Sequence, residues 1–462
     1  MASPPLDRTR PPAPAPVHPF TFPAFRRQRL ASGLNVMTAR LPRLPLVQLD
    51  LYAPAGAQYD PPSLRGLATM TGSLLDEGTQ RRNATEIASL TEQLGGKLST
   101  AAGWQLAFVA VSLLSEHLEQ GLDLMAELLL EPTFPEAELE RLRRRRLAEM
   151  VQRRNDPSEL AETYFNRALY GDGIYGYPIV GDEASVKRMS REAVQAFYRD
   201  HVVLGGSHLL VAGDLDPDWL LDAAQQRLQR PSEPPPPALP EFTATQLAAT
   251  SVHVVDRPEG AQTELRIGHV GVPRNHQDFT ALGLLNCILG GKFTSRINLN
   301  LRERHGYTYS AYSRFVARLG PGPFQVSTGV DLDATGDAVH QVLLELRRIQ
   351  QELVTPQELD DARSYLRGSF INHTQTIDDL VSRLGTLAIY DLPNDYFETY
   401  LQAIDEIPAE EVQRVAREHL QPDRLAIIAV GPARRLVPQL ERFGALTVWD
   451  PRTDTPRASA DA

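Results

Sequence analysis

The sequence predicts an α+β protein of two homologous domains, each a mainly antiparallel sheet covered on one side by helices. Three observations predict it. Short runs with alternating apolar residues, such as Val47, Leu49 and Leu51, alternate with amphipathic helical stretches along the 462 residues. A proline-rich break at 231–246, PSEPPPPALPEFTATQ, has six prolines in its first ten positions and divides the chain into halves of similar length. The halves also repeat. REAVQAFYRDHVVLGGSHLLVAG lies on AEEVQRVAREHLQPDRLAIIAVG at one constant shift of 218, so that Val194 meets Val412, Arg199 meets Arg417 and Gly213 meets Gly431. A register held across a helix, a loop and a strand points to duplication.

The first 23 residues hold eight prolines and no apolar core of the kind a secretory signal needs. Prolines at this density also prevent the amphipathic helix of an organellar presequence. Residues 1–24 therefore read as a disordered arm, with the cytoplasm as the default location. The first domain runs over 25–230. LASGLNVMTARLP and LVQLDLYAPAGAQYD read as two strands, SLRGLATMTGSLLDEG as an amphipathic helix stopped by Gly78, and TEIASLTEQLG as a second helix with Thr85 as N-cap. KLSTAAGWQLAFVAVSLL gives two more strands around Gly103. HLEQGLDLMAELLLEP is a helix stopped by Pro132, followed by the long charged helix EAELERLRRRRLAEMVQRRND. Its run Arg143 to Arg146, close to Glu138, Glu140 and Glu149, reads as a solvated, ion-paired face rather than a nucleic-acid patch. His201 and His419, equivalent in the repeat, read as caps on helix carbonyl ends rather than as ligands. The second domain spans 247–450, and the polar tail 451–462 reads as disordered.

Composition narrows the function classes. A net charge of −11 argues against a general nucleic-acid partner, and no apolar run approaches the ~18 residues of a membrane helix. A single cysteine, Cys287, permits neither an intrachain disulfide nor a cysteine-based zinc site.

The second domain centres on residues 290–315, GGKFTSRINLNLRERHGYTYSAYSRF. Gly290 and Gly291 end an apolar helix, Ile297 to Leu301 form a short helical run, and Gly306 suits the left-handed position past its end. YTYSAYSRF then reads as a strand. Helix, glycine stop and strand together are expected to hold Arg302 and Tyr309 near one another, seven positions apart. A permanent cation and a phenol donor suit a carbonyl oxygen turning into an oxyanion. They equally suit a surface arginine with a tyrosine packed beneath it.

This stretch resembles the C-terminal-domain motif of the M16 (pitrilysin, or insulinase) metallopeptidases, and the resemblance extends from about residue 25 to 450, duplication included. It implies two domains closing as a clamshell, with Arg302 and Tyr309 reaching across the chamber to a peptide. Active members carry an inverted zinc motif, H-x-x-E-H, within a segment resembling GLAHFLEHMLFKGT. This chain has GLATMTGSLLDEGT there. Thr69 and Ser73 stand where the histidines would be, and Gly72 where the general base would be. Glu149, 76 positions beyond Ser73, keeps the third-ligand spacing, with RRNDPSELA after it. One carboxylate and two hydroxyls do not make a useful zinc site.

The resemblance thus implies the partner subunit of a heterodimeric M16 enzyme. The chain binds no cofactor itself, zinc resides in an H-x-x-E-H-bearing homologue, and the substrate is an unfolded or extended peptide. Two alternatives stay open: a non-catalytic scaffold, like the M16-like core subunits of a respiratory complex, and a homodimeric peptide-binding protein.

Overall fold

Two sheets form from strands whose side chains alternate between faces, and their order repeats. The computed structural model describes residues 20–230, 235–245 and 247–457. The first half contributes β1 (Arg26–Arg29), β2 (Asn35–Arg40), β3 (Leu46–Ala53), α1 (Leu67–Gly72), α2 (Ala84–Gln93), β4 (Lys97–Ala102), β5 (Ala107–Leu114), α3 (Leu118–Leu130), α4 (Glu136–Arg153), α5 (Pro157–Tyr170), α6 (Glu183–Arg188), α7 (Arg191–His201), β6 (His208–Gly213) and α8 (Pro217–Arg227). The second contributes β7 (Ser251–Asp256), β8 (Gln262–Val270), α9 (Phe279–Leu289), α10 (Arg296–Asn298) running into a π-helical turn at Leu299–Arg304, β9 (Ala311–Phe315), β10 (Pro323–Asp331), α11 (Thr335–Gln351), α12 (Pro356–Asn372), α13 (Ile377–Ile389), α14 (Tyr396–Glu406), α15 (Ala409–His419), β11 (Ala426–Gly431), α16 (Ala433–Leu440), β12 (Ala445–Asp450) and β13 (Thr455–Pro456).

The sheets run β1-β2-β6-β3-β5-β4 and β13-β12-β7-β11-β8-β10-β9. Their five-strand cores have the same order, with β2–β6 and β7–β11 parallel and the remaining core pairs antiparallel. The shift of 218 is kept residue for residue, since α7 and α15, and likewise β6 and β11, have matching ends. The fold is therefore the predicted pair of sheet-and-helix halves, each sheet mixed but mainly antiparallel.

Both faces of each sheet are covered, where the sequence suggested one. The second cover comes from the other half. Leu160, Ala161, Phe165 and Leu169 of α5 pack on Val255, Ala426, Ile428 and Val430 of the second sheet. Leu380, Leu384 and Leu387 of α13 pack with Met37, Ala39, Leu210 and Ala212 of the first. At ~25 cal/mol per Å² of apolar surface, each contact makes separation of the halves costly. Among the described residues, no helix is long and apolar enough to cross a membrane.

Three segments expected to be loose are packed. Phe22 stacks on Phe397 at 5.2 Å and Phe20 meets Phe370 edge-on at 5.6 Å, so the arm is docked from residue 20; its residues 1–19 lie outside the described residues. In the expected spacer, Phe242 stacks on Tyr175 at 5.3 Å and the Thr245 N–H donates to Leu169 O at 2.7 Å; its residues 231–234 and 246 lie outside the described residues. The tail's β13 pairs with β12, and Asp454 accepts from the Tyr164 hydroxyl at 2.8 Å and from Arg167 at 2.6 Å. Of the expected tail, only 458–462 lies outside the described residues. In all three segments a few aromatic or charged side chains find partners despite polar, proline-rich surroundings.

Candidate functional site

Thr69, Gly72 and Ser73 lie along α1, a six-residue helix whose first turn is held from outside. The Asp60 carboxylate accepts from the Gly66 N–H at 2.6 Å and the Ala68 N–H at 2.7 Å. Burial pushes Asp60 up to about 7 in spite of those donors and of Arg146. Thr69 Oγ1 is buried, 3.0 Å from Gly66 O and 3.1 Å from Ile179 O, and accepts from Arg146 Nη1 at 2.8 Å. The same Nη1 donates to Gly66 O at 3.2 Å. Burial lowers the Arg146 guanidinium to about 10, so it remains charged at neutral pH.

Gly72 packs against β4: a Cβ there would lie 2.6 Å from Ala101 C and 2.7 Å from Ala102 N. Glu149 points to solvent, its side chain 55% exposed, 3.5 Å from Arg145 Nε. A Thr69 hydroxyl already bonded to a guanidinium and a solvent-facing Glu149 carboxylate do not fit a zinc ion.

The arginine run on α4 is ion-paired as expected, Arg143 with Glu140 and Arg145 with Glu149, but only half of it is a solvated face. Arg143 donates to Met189 O at 2.5 Å and to Val186 O, and Arg146 turns into α1; Arg144 and Arg145 stay exposed. The N-cap of α2 is Asn83, with a reciprocal Glu86 bond, instead of Thr85.

In the second half, the turn after Gly290 is fastened from several sides. Arg296 forks onto Glu358 at 2.7 and 2.9 Å. Asn298 donates to Phe293 O at 2.6 Å and accepts from the Ala311 N–H at 2.9 Å, joining the loop before the helix to the strand after it. Asn300 donates to the buried Glu345 at 2.7 Å. Gly306 has φ +68°, the left-handed value its position requires. Arg302 lies in the π-helical turn, its guanidinium 4.3 Å above the exposed Phe293 ring and its Nε 3.5 Å from Glu303.

The strand begins at Ala311, later than expected, because 308–310 form a turn held by side chains. Thr308 Oγ1 donates to Ser310 O at 2.9 Å, and Thr328 Oγ1 donates to that carbonyl at 3.0 Å. Tyr309 projects from this turn 87% exposed. Among the described residues, no hydrogen bond or ring contact joins it to Arg302. The two residues lie on either side of Gly306 in sequence as separate groups, Arg302 against Phe293 and Glu303 and Tyr309 in water.

One cluster was not apparent in sequence. His276, Asp278 and His419 bring ligand-type atoms within 4.8 Å of one another. His419 Nε2 is 2.7 Å from Asp278 Oδ2, Arg414 donates to Oδ1 at 2.7 Å, and the Asp278 N–H donates to His276 Nδ1 at 3.2 Å. Burial opposes ionisation of Asp278, but Arg414 and His419 outweigh it and hold the carboxyl below the usual range. The network ties the start of α9 to the end of α15. His419 therefore binds a carboxylate instead of capping its helix, and His201 stacks on Tyr59 at 4.9 Å.

Two family models match. "Insulinase (Peptidase family M16)" covers residues 35–183 and "Peptidase M16 inactive domain" covers 188–366. The chain is 27% identical over 431 residues to a protein of Mycobacterium tuberculosis named an uncharacterized zinc protease, covering 92% of this chain and 98% of that one. It is 25% identical over 416 residues to a Streptomyces coelicolor protein of the same description, covering 88% and 90%. A crystal structure titled peptidase M16 inactive domain, from Pseudomonas fluorescens, superposes with TM-score 0.83 at 28% identity, covering 88% of this chain and 98% of that one. A Helicobacter pylori protease shares the fold, with TM-score 0.81 at 17% identity over 89% and 100% of the two chains. With both family models matched in tandem and the duplicated fold in place, the chain belongs to peptidase family M16.

Proposed function

We propose that this chain is the non-zinc-binding subunit of a two-chain M16 metallopeptidase, paired with a homologue that carries H-x-x-E-H. In that reading Arg302 and Tyr309 bind an extended or unfolded peptide and donate to the oxyanion formed at the scissile carbonyl. The metal and the general base belong to the partner, and this chain binds no cofactor. We place it in the cytoplasm, in keeping with a lone, buried Cys287 thiol.

One contrast carries the reading. In the first half the family's metal position is packed shut, with Thr69 bonded and Gly72 against the β4 backbone. In the second half a permanent cation and an exposed phenol are held outward on a braced turn. Leaving a tyrosine ring in water forfeits apolar burial, and a scaffold gains nothing from it.

The test is co-purification with a zinc-bearing homologue, followed by peptide cleavage by the complex. Arg302→Ala and Tyr309→Phe are each expected to lower kcat ~10²-fold or more with the complex intact. Near-wild-type turnover in both variants would remove the chain from the chemistry and leave it a scaffold. A stable homodimer that binds peptide and captures no homologue would favour the third reading.

A further inference from the structure

We infer that the metal position of the first half has been rebuilt around a half-buried guanidinium, and that Arg146, beyond the loss of the histidines, excludes a divalent cation there. Arg146 lies on α4 between Leu142 and Met150, both buried and one helical turn away on either side. An arginine in the middle of an apolar stripe must find polar partners or lose its solvation. It finds them on α1, 77 residues away in sequence, at Thr69 Oγ1 and Gly66 O.

The Gly66 peptide unit is thereby held at both ends, its N–H by Asp60 and its carbonyl by Arg146. No side chain caps α1 at its N-cap residue, so this brace fixes the helix's first turn. A fixed cation 2.8 Å from the first degenerate position also repels any metal brought to it. Gly72 closes the site from the other side, because any larger residue meets the β4 backbone. Restoring the motif residues would therefore not restore the metal while Arg146 remains. This inference concerns the chain alone and stands whether or not a zinc-bearing partner exists.

The test compares the full chain in two forms that both keep Gly72: T69H/S73H, and T69H/S73H/R146A. Zinc is measured by metal analysis after dialysis, with the wild-type chain as blank for the His276–Asp278–His419 group. T69H/S73H is expected to hold no zinc above the blank. T69H/S73H/R146A is expected to hold about one per chain, through the two histidines and Glu149, and to melt higher when zinc is added. Equal zinc contents in the two variants, whether none or one, would overturn the inference. If the alanine form does not fold, Arg146→Met keeps the side chain's length and the apolar stripe, and the same comparison decides.

Discussion

Gly72 shows how much a single missing Cβ decides. With Ala101 and Ala102 backbone atoms at 2.6 and 2.7 Å from where that carbon would sit, even alanine forces α1 or β4 to move. Gly72→Ala is expected to destabilise the chain by ~1–3 kcal/mol in urea unfolding. A change within error would mean that β4 yields freely and that the site is not closed. The comparison of Thr69 and Ser73 with the family's histidines, and of Gly72 with its general base, was open to motif reading because a motif is local. What packs against them was not legible, since Arg146 and Ala101 reach α1 from distant parts of the chain. One local signal pointed to Arg146: the spacing Leu142, Arg146, Met150 puts it on the buried face of α4, whereas the abundance of neighbouring charges suggested a wet one. Asp278 and His419 lay beyond local reading altogether, 141 positions apart.

At the scale of elements, the turn carrying Arg302 depends on how α10 is tied to α12. Burial disfavours the Glu358 carboxylate, but the Arg296 fork and the Thr355 N–H bond outweigh it and hold Glu358 at about 2, below its ordinary 4.5. A carboxyl depressed in the native state stabilises fully above pH 4.5, and that contribution fades as the pH falls toward 2. Glu358→Gln is expected to cost ~1–2 kcal/mol at neutral pH, discounted for part-exposure, and to flatten the stability profile between pH 4.5 and 2. An unchanged acid limb in chemical denaturation would show that the fork holds nothing. Most elements were legible because their apolar periodicity is local, and the repeat at 218 fixes α7, α15, β6 and β11 to the residue. Residues 307–310 were misread as strand, since Thr308 spends its hydroxyl on the turn's own backbone, which propensity does not register.

At the scale of the molecule, the exchange of α5 and α13 makes one body of two repeats. A protease site placed at the exposed Leu239 is expected to be cut, yet the two fragments are expected to co-elute on gel filtration and to unfold in one transition. Fragments that part in buffer would show that the exchanged helices do not hold the halves. The signal for this exchange was present in β6 and β11, HLLVAG and AIIAVG, whose unbroken apolar runs suit strands buried on both faces. Which helix supplies the second cover is a long-range fact that periodicity does not contain. The exchange also bears on how the chain is made. The residues of α5 leave the ribosome with no surface to cover, and β11, against which they pack, follows about 250 residues later. At about 5–20 residues per second that interval is on the order of ten seconds to a minute. Throughout it the part of the α5 face that meets Ala426, Ile428 and Val430 stays uncovered, so newborn chains are expected to lean on holding chaperones until β11 emerges.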